Sequence, residues 1–521
     1  MALGTATTNN PGGSGGNVTV TWTLYGQPVS QAQCNLSAPF DLVTVTLKDQ
    51  NVSHNRSAFA PCKDGILHLT GVVPGQYTAE GAIYFSSTTG GGVASTLQKT
   101  VTVVDAQTAT VNFDFQPSLV TLTTYQGQAL ANAAWVAFRN GNDQWRQIQG
   151  ISGRYSFAPS IDNGGRYSLA IGCNLSTFAG AVFEVRNLEL TTSDTTSPAV
   201  GCENLASRIQ VSGVLSNIPA GHCVQGVFFN VNSALTGPDS ACGGATGYSV
   251  DLPPGTYDFV LKTFANDGFG PIPDRVLIDP GIQIAGATQH PIDLSSAVAT
   301  SSQSVTLVPG PYSTLQSLVK LHTRLNTETG LGASHPQATQ FNFGGVPAGS
   351  PGNSIHELEA NVYSPSQRET ISTYFIAPAI QVASFSPPLT FTTTVTLASN
   401  LPYARPAAAF TGAAGAAVYQ LDYGLAVDKW SAFVSAAWLN AAGGATSYQL
   451  PELTTATGFQ LPPGYGIPPS GTPFGWTSTA HVLSNGTIDT LLRALYEHTE
   501  SVGDGFTVRK AITTGVVSRP P

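Results

Sequence analysis

Charge is what this chain has least of. Only 10% of its 521 residues are Asp, Glu, Lys or Arg, against about 25% in a typical soluble protein. Helix surfaces are normally covered by such residues, so their scarcity argues against extensive helix. The 21 Lys and Arg form no run, which excludes the basic footprint of a nucleic-acid binder. No stretch of about 18 apolar residues occurs, so no transmembrane helix is expected. Met1-Ala2-Leu3-Gly4 leads straight into polar residues, without the apolar core of a signal peptide. The expectation is a cytoplasmic chain or a mature form that has lost its leader. A single Met excludes a Met-rich binding surface.

Cysteine is sparse too, and no pair is spaced C-x-x-C, so zinc and thioredoxin-like chemistry have no local support. The six are Cys34, Cys62, Cys173, Cys202, Cys223 and Cys242. An even number spread along strand-like segments reads as disulfides in an oxidising compartment. The expected pairs are sequential: Cys34–Cys62, Cys173–Cys202 and Cys223–Cys242. Each would close a loop of about 20 to 30 residues, worth about 3–4 kcal/mol in the loop-entropy treatment. Six buried free thiols are the alternative.

What is abundant is Gly, Ser, Thr and Ala, together with the Val, Tyr and Phe that favour strands. At this length three to five domains are expected. Residues 1–16 are a Gly/Ser/Thr/Asn tether. Within it Gly12-Gly13-Ser14-Gly15-Gly16 matches the G-x-S-x-G nucleophile elbow, but a strand follows where a helix is required. Residues 17–116 form the clearest module. Asn17 to Tyr25 alternates with period two, as a half-buried strand does. The 17–116 module is expected to be an immunoglobulin-like or prealbumin-like sandwich; further sandwich modules are expected at 117–203 and 204–300, a β-rich module at 301–398, and a last domain at 399–521 that ends in a helix and tail. The helix spans Thr487–His498, with apolar residues at 488, 491, 492 and 495 and Ser484 or Asn485 as cap. The fold class is therefore all-β: tandem immunoglobulin-like sandwiches with one short helix near the C-terminus.

Twice a strand ends in Pro-Gly-x-Tyr and restarts, at Pro74-Gly75-Gln76-Tyr77 and Pro254-Gly255-Thr256-Tyr257. Pro and Gly suit a type II hairpin turn with positive φ at Gly. The Tyr is expected to bury its ring and leave its hydroxyl in water. On Trp22, Cys34, Pro61-Cys62 and Pro74-Gly75-x-Tyr77, the 17–116 module resembles carboxypeptidase-regulatory-like and Cna-B-like sandwiches. It is similar to domains in secreted lipoproteins of the myxobacterial type, in which a lipid-modified Cys precedes such a tether. Residues 401–490 resemble a fibronectin type III domain, through the order Ala417-Val418-Tyr419-Gln420-Leu421, Ser447-Tyr448-Gln449-Leu450-Pro451-Glu452-Leu453 and Trp476. The resemblance implies a fold and a bacterial cell-surface setting, not a reaction.

Candidate chemistry is thin. His356-Glu357-Leu358-Glu359 is not H-E-x-x-H, and on a strand its His and Glu side chains part to opposite faces. A solvated strand face is expected there, not a metal site. Asn266-Asp267-Gly268 with Asp274, and Asn140-Gly141-Asn142-Asp143, read as turns rather than Ca²⁺ loops. His222 adjoins Cys223, which cannot act as a nucleophile if it is disulfide-bonded. The six Trp read as core residues, about one per sandwich. Sequons at Asn17, Asn35, Asn51, Asn55, Asn174 and Asn485 are chance in so Asn/Ser/Thr-rich a chain. No catalytic residue, metal or cofactor is implied. The expectation is a non-enzymatic extracellular or outer-surface structural or interaction protein, a tethered lipoprotein, with surface proteins or glycans as partners, or with self-assembly. Membrane contact would come only through a lipid anchor absent from this chain, and nucleic acid is not a partner. A glycan-binding adhesin and a filament or coat subunit built by β-strand addition are the alternatives; a hydrolase lacks sequence support.

Overall fold

A computed structural model of the chain describes residues 15–518. Outside the description lie 35–39, 86–92, 141–143, 160–165, 174–181, 190–195, 203–207, 237–240, 243–246, 266–271, 324–327, 334–336, 400–402, 442–445, 460–472, 497–501 and a few single or paired positions. The fold is all-β, and its strands pair into sandwiches.

Residues 16–115 form one sandwich of two four-stranded sheets. Gly16–Leu24 alternates buried and half-buried positions along its whole length. Its Val18, Val20, Trp22 and Leu24 reach a core drawn only from this segment. The strand pairs in parallel with Thr108–Phe115 and antiparallel with Ile66–Val72.

The two Pro-Gly-x-Tyr motifs are not hairpins. Ile66–Val72 and Gly75–Phe85 lie in different sheets, as do Gly247–Leu252 and Gly255–Phe264. Each motif therefore carries the chain across the sandwich. Gly75 does not take a positive φ, and Gly255 is nearly extended at 158°, because a sheet-to-sheet crossing does not need the type II turn. The Tyr hydroxyls are not in water either. Tyr77 donates to Val73 O at 2.8 Å and Tyr257 to Pro253 O at 2.7 Å. Both residues are buried, and a buried hydroxyl needs an acceptor. The carbonyl four residues back supplies it and closes the corner, as in the tyrosine corner of immunoglobulin-type folds.

The dominant element is one sheet of twelve strands, numbered here in chain order: β1 Trp135–Asn140, β2 Arg146–Gln147, β3 Arg166–Cys173, β4 Val182–Glu189, β5 Thr314–His322, β6 Glu328–Ala333, β7 Ile355–Tyr363, β8 Arg368–Phe375, β9 Ala416–Leu425, β10 Asp428–Ser435, β11 Pro473–Ser484 and β12 Thr507–Ser518. Their order across the sheet is β2-β1-β3-β4-β10-β9-β11-β12-β8-β7-β5-β6. Every pairing is antiparallel except β4 with β10, which runs parallel from Val182–Lys429 to Asn187–Val434. Strands from 117–203, 301–398 and 399–521 are thus joined in one ladder.

Three cores lie against this sheet. On one face, Phe183, Trp430 and Leu421 pack under the sheet Phe391–Ser399, Arg405–Gly412 and Ser447–Gln449. Further along that face, Leu358, Ile371 and Phe375 pack under Ser301–Val308, Gln340–Gly345 and Gln381–Ser384. On the opposite face, Leu169, Tyr374 and Phe433 meet Val120–Gln126, Arg154–Phe157 and the helix Ile488–Tyr496. Thr487, not Ser484 or Asn485, caps that helix, accepting from Thr490 N at 3.3 Å. Asn485 instead takes a left-handed φ of 58°. Short helices also occur at Gln31–Cys34 and Ala436–Ala441. Residues 209–294 form a further core of their own.

Two outcomes follow. Residues 17–116 made alone should unfold cooperatively in urea, whereas 117–203 made alone should show no cooperative transition, since its strands lack the β4–β10 ladder. Within the 17–116 fragment, Tyr77→Phe should lower the unfolding free energy by about 1 kcal/mol, the net worth of one buried hydrogen bond; circular dichroism against urea measures both.

Candidate functional site

The buried ionisable groups among the described residues are concentrated on the long sheet. On β7, His356, Leu358, Ala360 and Val362 turn to one face, and Glu357, Glu359 and Asn361 to the other. The expected split of the His and Glu side chains is present, but the acidic face is not solvated: Glu357 is only 5% exposed. Neighbouring strands cover it because they bring its counter-ions. Lys320 and His322 of β5 stand beside it. His322 Nε2 lies 2.7 Å from Glu357 Oε2, and Lys320 Nζ 2.7 Å from Glu359 Oε2. Burial pushes the Glu357 carboxyl up, but the His322 hydrogen bond and the charges of His322, Lys320 and Lys510 outweigh it and hold it well below the usual range. Glu359 behaves likewise: burial raises it, and Lys320 and Asn361 bring it down.

From there a polar seam crosses the same face, strand by strand. Asn361 Oδ1 accepts from Arg368 and from Thr370 Oγ1. Thr370 stands opposite Lys510, and Lys510 opposite His481. His481 Nε2 meets Gln420 Oε1 at 3.0 Å, Gln420 Nε2 donates to Asp422 Oδ2 at 2.8 Å, and Ser431 Oγ donates to Asp422 Oδ1 at 2.6 Å. Ser431 faces Glu184 across the parallel ladder, and Glu184 is paired with Arg186, both fully buried.

A second ionic knot sits on the opposite face, where the two covering sheets meet. Glu369 is 0% exposed. It accepts from Arg509 Nε, from Tyr312 OH at 2.5 Å and from Leu389 N at 3.1 Å. Arg509 Nη2 in turn donates to Pro387 O at 2.5 Å. A third pair of contacts ties 204–300 to the long sheet. Thr323 Oγ1 donates to buried Asp258 at 2.6 Å, and Lys262 Nζ to Gly330 O at 3.0 Å. Burial pushes the Lys262 amine down to about 8.

These groups hold one another. Each carboxylate named above accepts from a cation or a hydroxyl of the fold. Among the described residues no three His, Cys, Asp or Glu side chains gather as a metal site would require. His356 is used structurally. Its Nε2 accepts from Val346 N at 3.0 Å, its Nδ1 faces Phe375 O at 3.3 Å, and its ring stacks on Phe375 at 5.0 Å. Burial pushes its imidazole down to about 4, and that of His481 to about 3, the latter with help from Lys510.

The other sequence candidates are scattered. Residues 266–268 and 141–143 lie outside the described residues. Asp274 accepts from His222 Nε2 at 2.9 Å and from Thr263 Oγ1 at 2.7 Å. Cys223 is disulfide-bonded, so His222 has no thiolate to activate. Cys34 and Cys62 form a disulfide with Cα atoms 6.1 Å apart. Cys173 is disulfide-bonded, and Cys223 stands opposite Cys242 in the ladder; the side chains of Cys202 and Cys242 lie outside the description. The Trp residues are not one per sandwich: Trp135, Trp145 and Trp430 share a single core, with Trp438 and Trp476 packed against it. The Glu184–Arg186, Glu369–Arg509 and Lys320–His322 groups escaped the sequence reading. Glu184 with Arg186 and Lys320 with His322 did carry a signal, ionisable residues two apart on one strand; Glu369 and Arg509, each beside another charge in a polar strand, carried none.

No known family pattern matches the chain, and no curated protein does. Among solved structures it is similar to the Bacillus anthracis TIE protein at 11% identity, over 67% of this chain and 68% of that one, with a TM-score of 0.15. It is similar to the tip fimbrial protein Mfa3 of Porphyromonas gingivalis at 10% identity, over 32% and 81%, with a TM-score of 0.13. Against the FN1–FN3 domains of chicken CNTN1 the identity is 9%, the coverage 68% and 94%, and the TM-score 0.14. Overlaps this weak assign no activity to this chain.

Stability should fall on mild acidification. In the unfolded chain His356 and His481 titrate near the ordinary value of about 6.5; in the fold they titrate near 4 and 3. Between those values the unfolded chain binds more protons, so stability is full above about pH 6.5 and is lost as pH falls towards 4. His356 alone should account for about 3 kcal/mol. Urea midpoints from pH 7 to 4 measure it, and His356→Gln should flatten the slope. Glu369→Gln, which leaves Arg509 without its counter-charge, should cost about 3–5 kcal/mol at pH 7.

Proposed function

We propose that this chain is a non-enzymatic structural or interaction protein of the bacterial cell surface. The observation that carries the reading is covalent: among the described residues no cysteine is free, a state that persists outside the reducing cytoplasm. The shared sheet supports it. Three cores fastened to one ladder resist separation, and the buried ion pairs are spent on holding the strands rather than left open to a substrate. The Gly/Ser/Thr/Asn-rich residues 1–16 suit a flexible tether, and a lipoprotein of the myxobacterial type is the form we favour. Contacts with partners would use loop ends and sheet edges, and Cys173–Cys202 and Cys223–Cys242 complete the proposed pairing.

Mass spectrometry of unreduced protein from its native source should find three sequential disulfides and an acylated N-terminus, and protease added to intact cells should remove the protein. Free thiols and resistance to external protease would overturn the surface assignment.

A further inference from the structure

The covering sheet of Ser301–Val308, Gln340–Gly345 and Gln381–Ser384 contains no Asp, Glu, Lys, Arg or His. Val305, Leu307, Phe343 and Ala383 turn inward to its core, so strand alternation turns Thr306, Val308, Asn342 and Val382 outward. Val382 stands opposite Thr306, one diagonal step from Val308. Val382 is 64% exposed, and Ile380, two residues before it, 68%. Four of the eleven large apolar side chains exposed among the described residues, Val308, Ile376, Ile380 and Val382, belong to this sheet and the segment leading into it. The outward side chains beside this aliphatic strip end in hydroxyls and amides. The neighbouring sheet of Phe391–Ser399 and Arg405–Gly412 covers the same face of the long sheet. It turns Thr392, Thr394 and Thr396 outward, and Arg405 is the one charge on these two strands.

Clustered aliphatic side chains on a surface mark a contact that covers them, and the centres of such contacts are poor in charge. The chain carries a net charge of −9, so two copies repel one another wherever their charges meet. This face is free of that repulsion. It also matches itself. A face of one sign repels its own copy across a two-fold axis, whereas hydroxyls and amides both donate and accept. Three strands about 4.8 Å apart and about 20 Å long present about 300 Å². The two sheets together present about 600 Å², the low end of what each partner gives up in a specific pair. We propose that this face is where two copies of the chain meet, sheet against sheet, with Val308, Ile380 and Val382 of each copy supplying the apolar contact. The proposal rests on the reading of this chain as an interaction protein and names its partner, a second copy.

The test is sedimentation velocity of the full chain from about 1 to about 200 µM. It should show a reversible monomer–dimer equilibrium with a Kd of about 10 µM, as a contact of this size gives. Salt at about 1 M should not weaken the dimer, since no ion pair holds it. Val382→Lys and Val308→Lys should each raise the Kd at least about tenfold, because each carries two ammonium groups into the apolar contact. Val516 is as exposed as Val382 but lies on the opposite face of the long sheet, since its neighbour Val517 packs under the covering sheet. Val516→Lys should therefore leave the Kd unchanged. All three positions are exposed, so each variant should keep the wild-type urea midpoint. A monomer at every concentration, a dimer that dissociates in salt, or one that survives both Val382→Lys and Val308→Lys would overturn the proposal. Protein that stays monomeric yet is removed from intact cells by external protease would sink the self-contact and leave the surface reading standing.

Discussion

The parallel ladder between Val182–Asn187 and Lys429–Val434 is the contact on which the twelve-stranded sheet depends. It fuses two antiparallel halves into one sheet, and the cores on both faces of that sheet use side chains from either side of it. Phe183 stacks on Trp430 at 4.2 Å on one face, while Arg186 and Phe433 stand opposite each other on the other. Without the ladder, β4 would be an edge strand with its buried Glu184–Arg186 pair exposed to water. A parallel junction between segments so distant in sequence closes a very long loop, and its cost must be offset by the apolar area it brings together.

Register in this sheet is fixed by charge as much as by apolar alternation. A slip of one residue along β4 would turn Glu184 and Arg186 into the core now held by Phe183 and Val185. A slip along β8 would remove Glu369 from Arg509, Tyr312 and Leu389. In a chain this poor in charge, each buried carboxylate has few possible counter-ions, so mispaired registers leave it without one. Buried ion pairs add little net stability over apolar replacements. Their contribution here is to make the wrong pairings expensive.

The cysteines and the tyrosine corners work at a shorter range. Cys34–Cys62 fastens the first sandwich, where Trp22 Nε1 also donates to Cys62 O at 2.8 Å. Tyr77 and Tyr257 lock the crossings from one sheet to the next with a bond that spans only four residues. These devices hold single sandwiches. The long sheet holds the sandwiches to one another.

The sequence by itself determined the strands. Alternation in Asn17–Tyr25, the Thr- and Val-rich runs and the lack of charged helix surface gave an all-β chain, because side-chain direction repeats every two residues and is written locally. The helix at 488–496 was equally legible from its spacing, though its cap was not, since Asn485 was drawn instead into a left-handed turn. The Pro-Gly-x-Tyr motif was visible as a punctuation mark, but whether the chain turned back in its own sheet or crossed to another depended on partners far away. Which strands would pair, and hence that Glu357 would be buried beside His322 and Lys320 rather than solvated, was decided only in the tertiary structure. Backbone ladders carry almost no sequence code, so pairing between distant strands follows from the packing of whole faces, and the meeting of rare charges follows from the pairing.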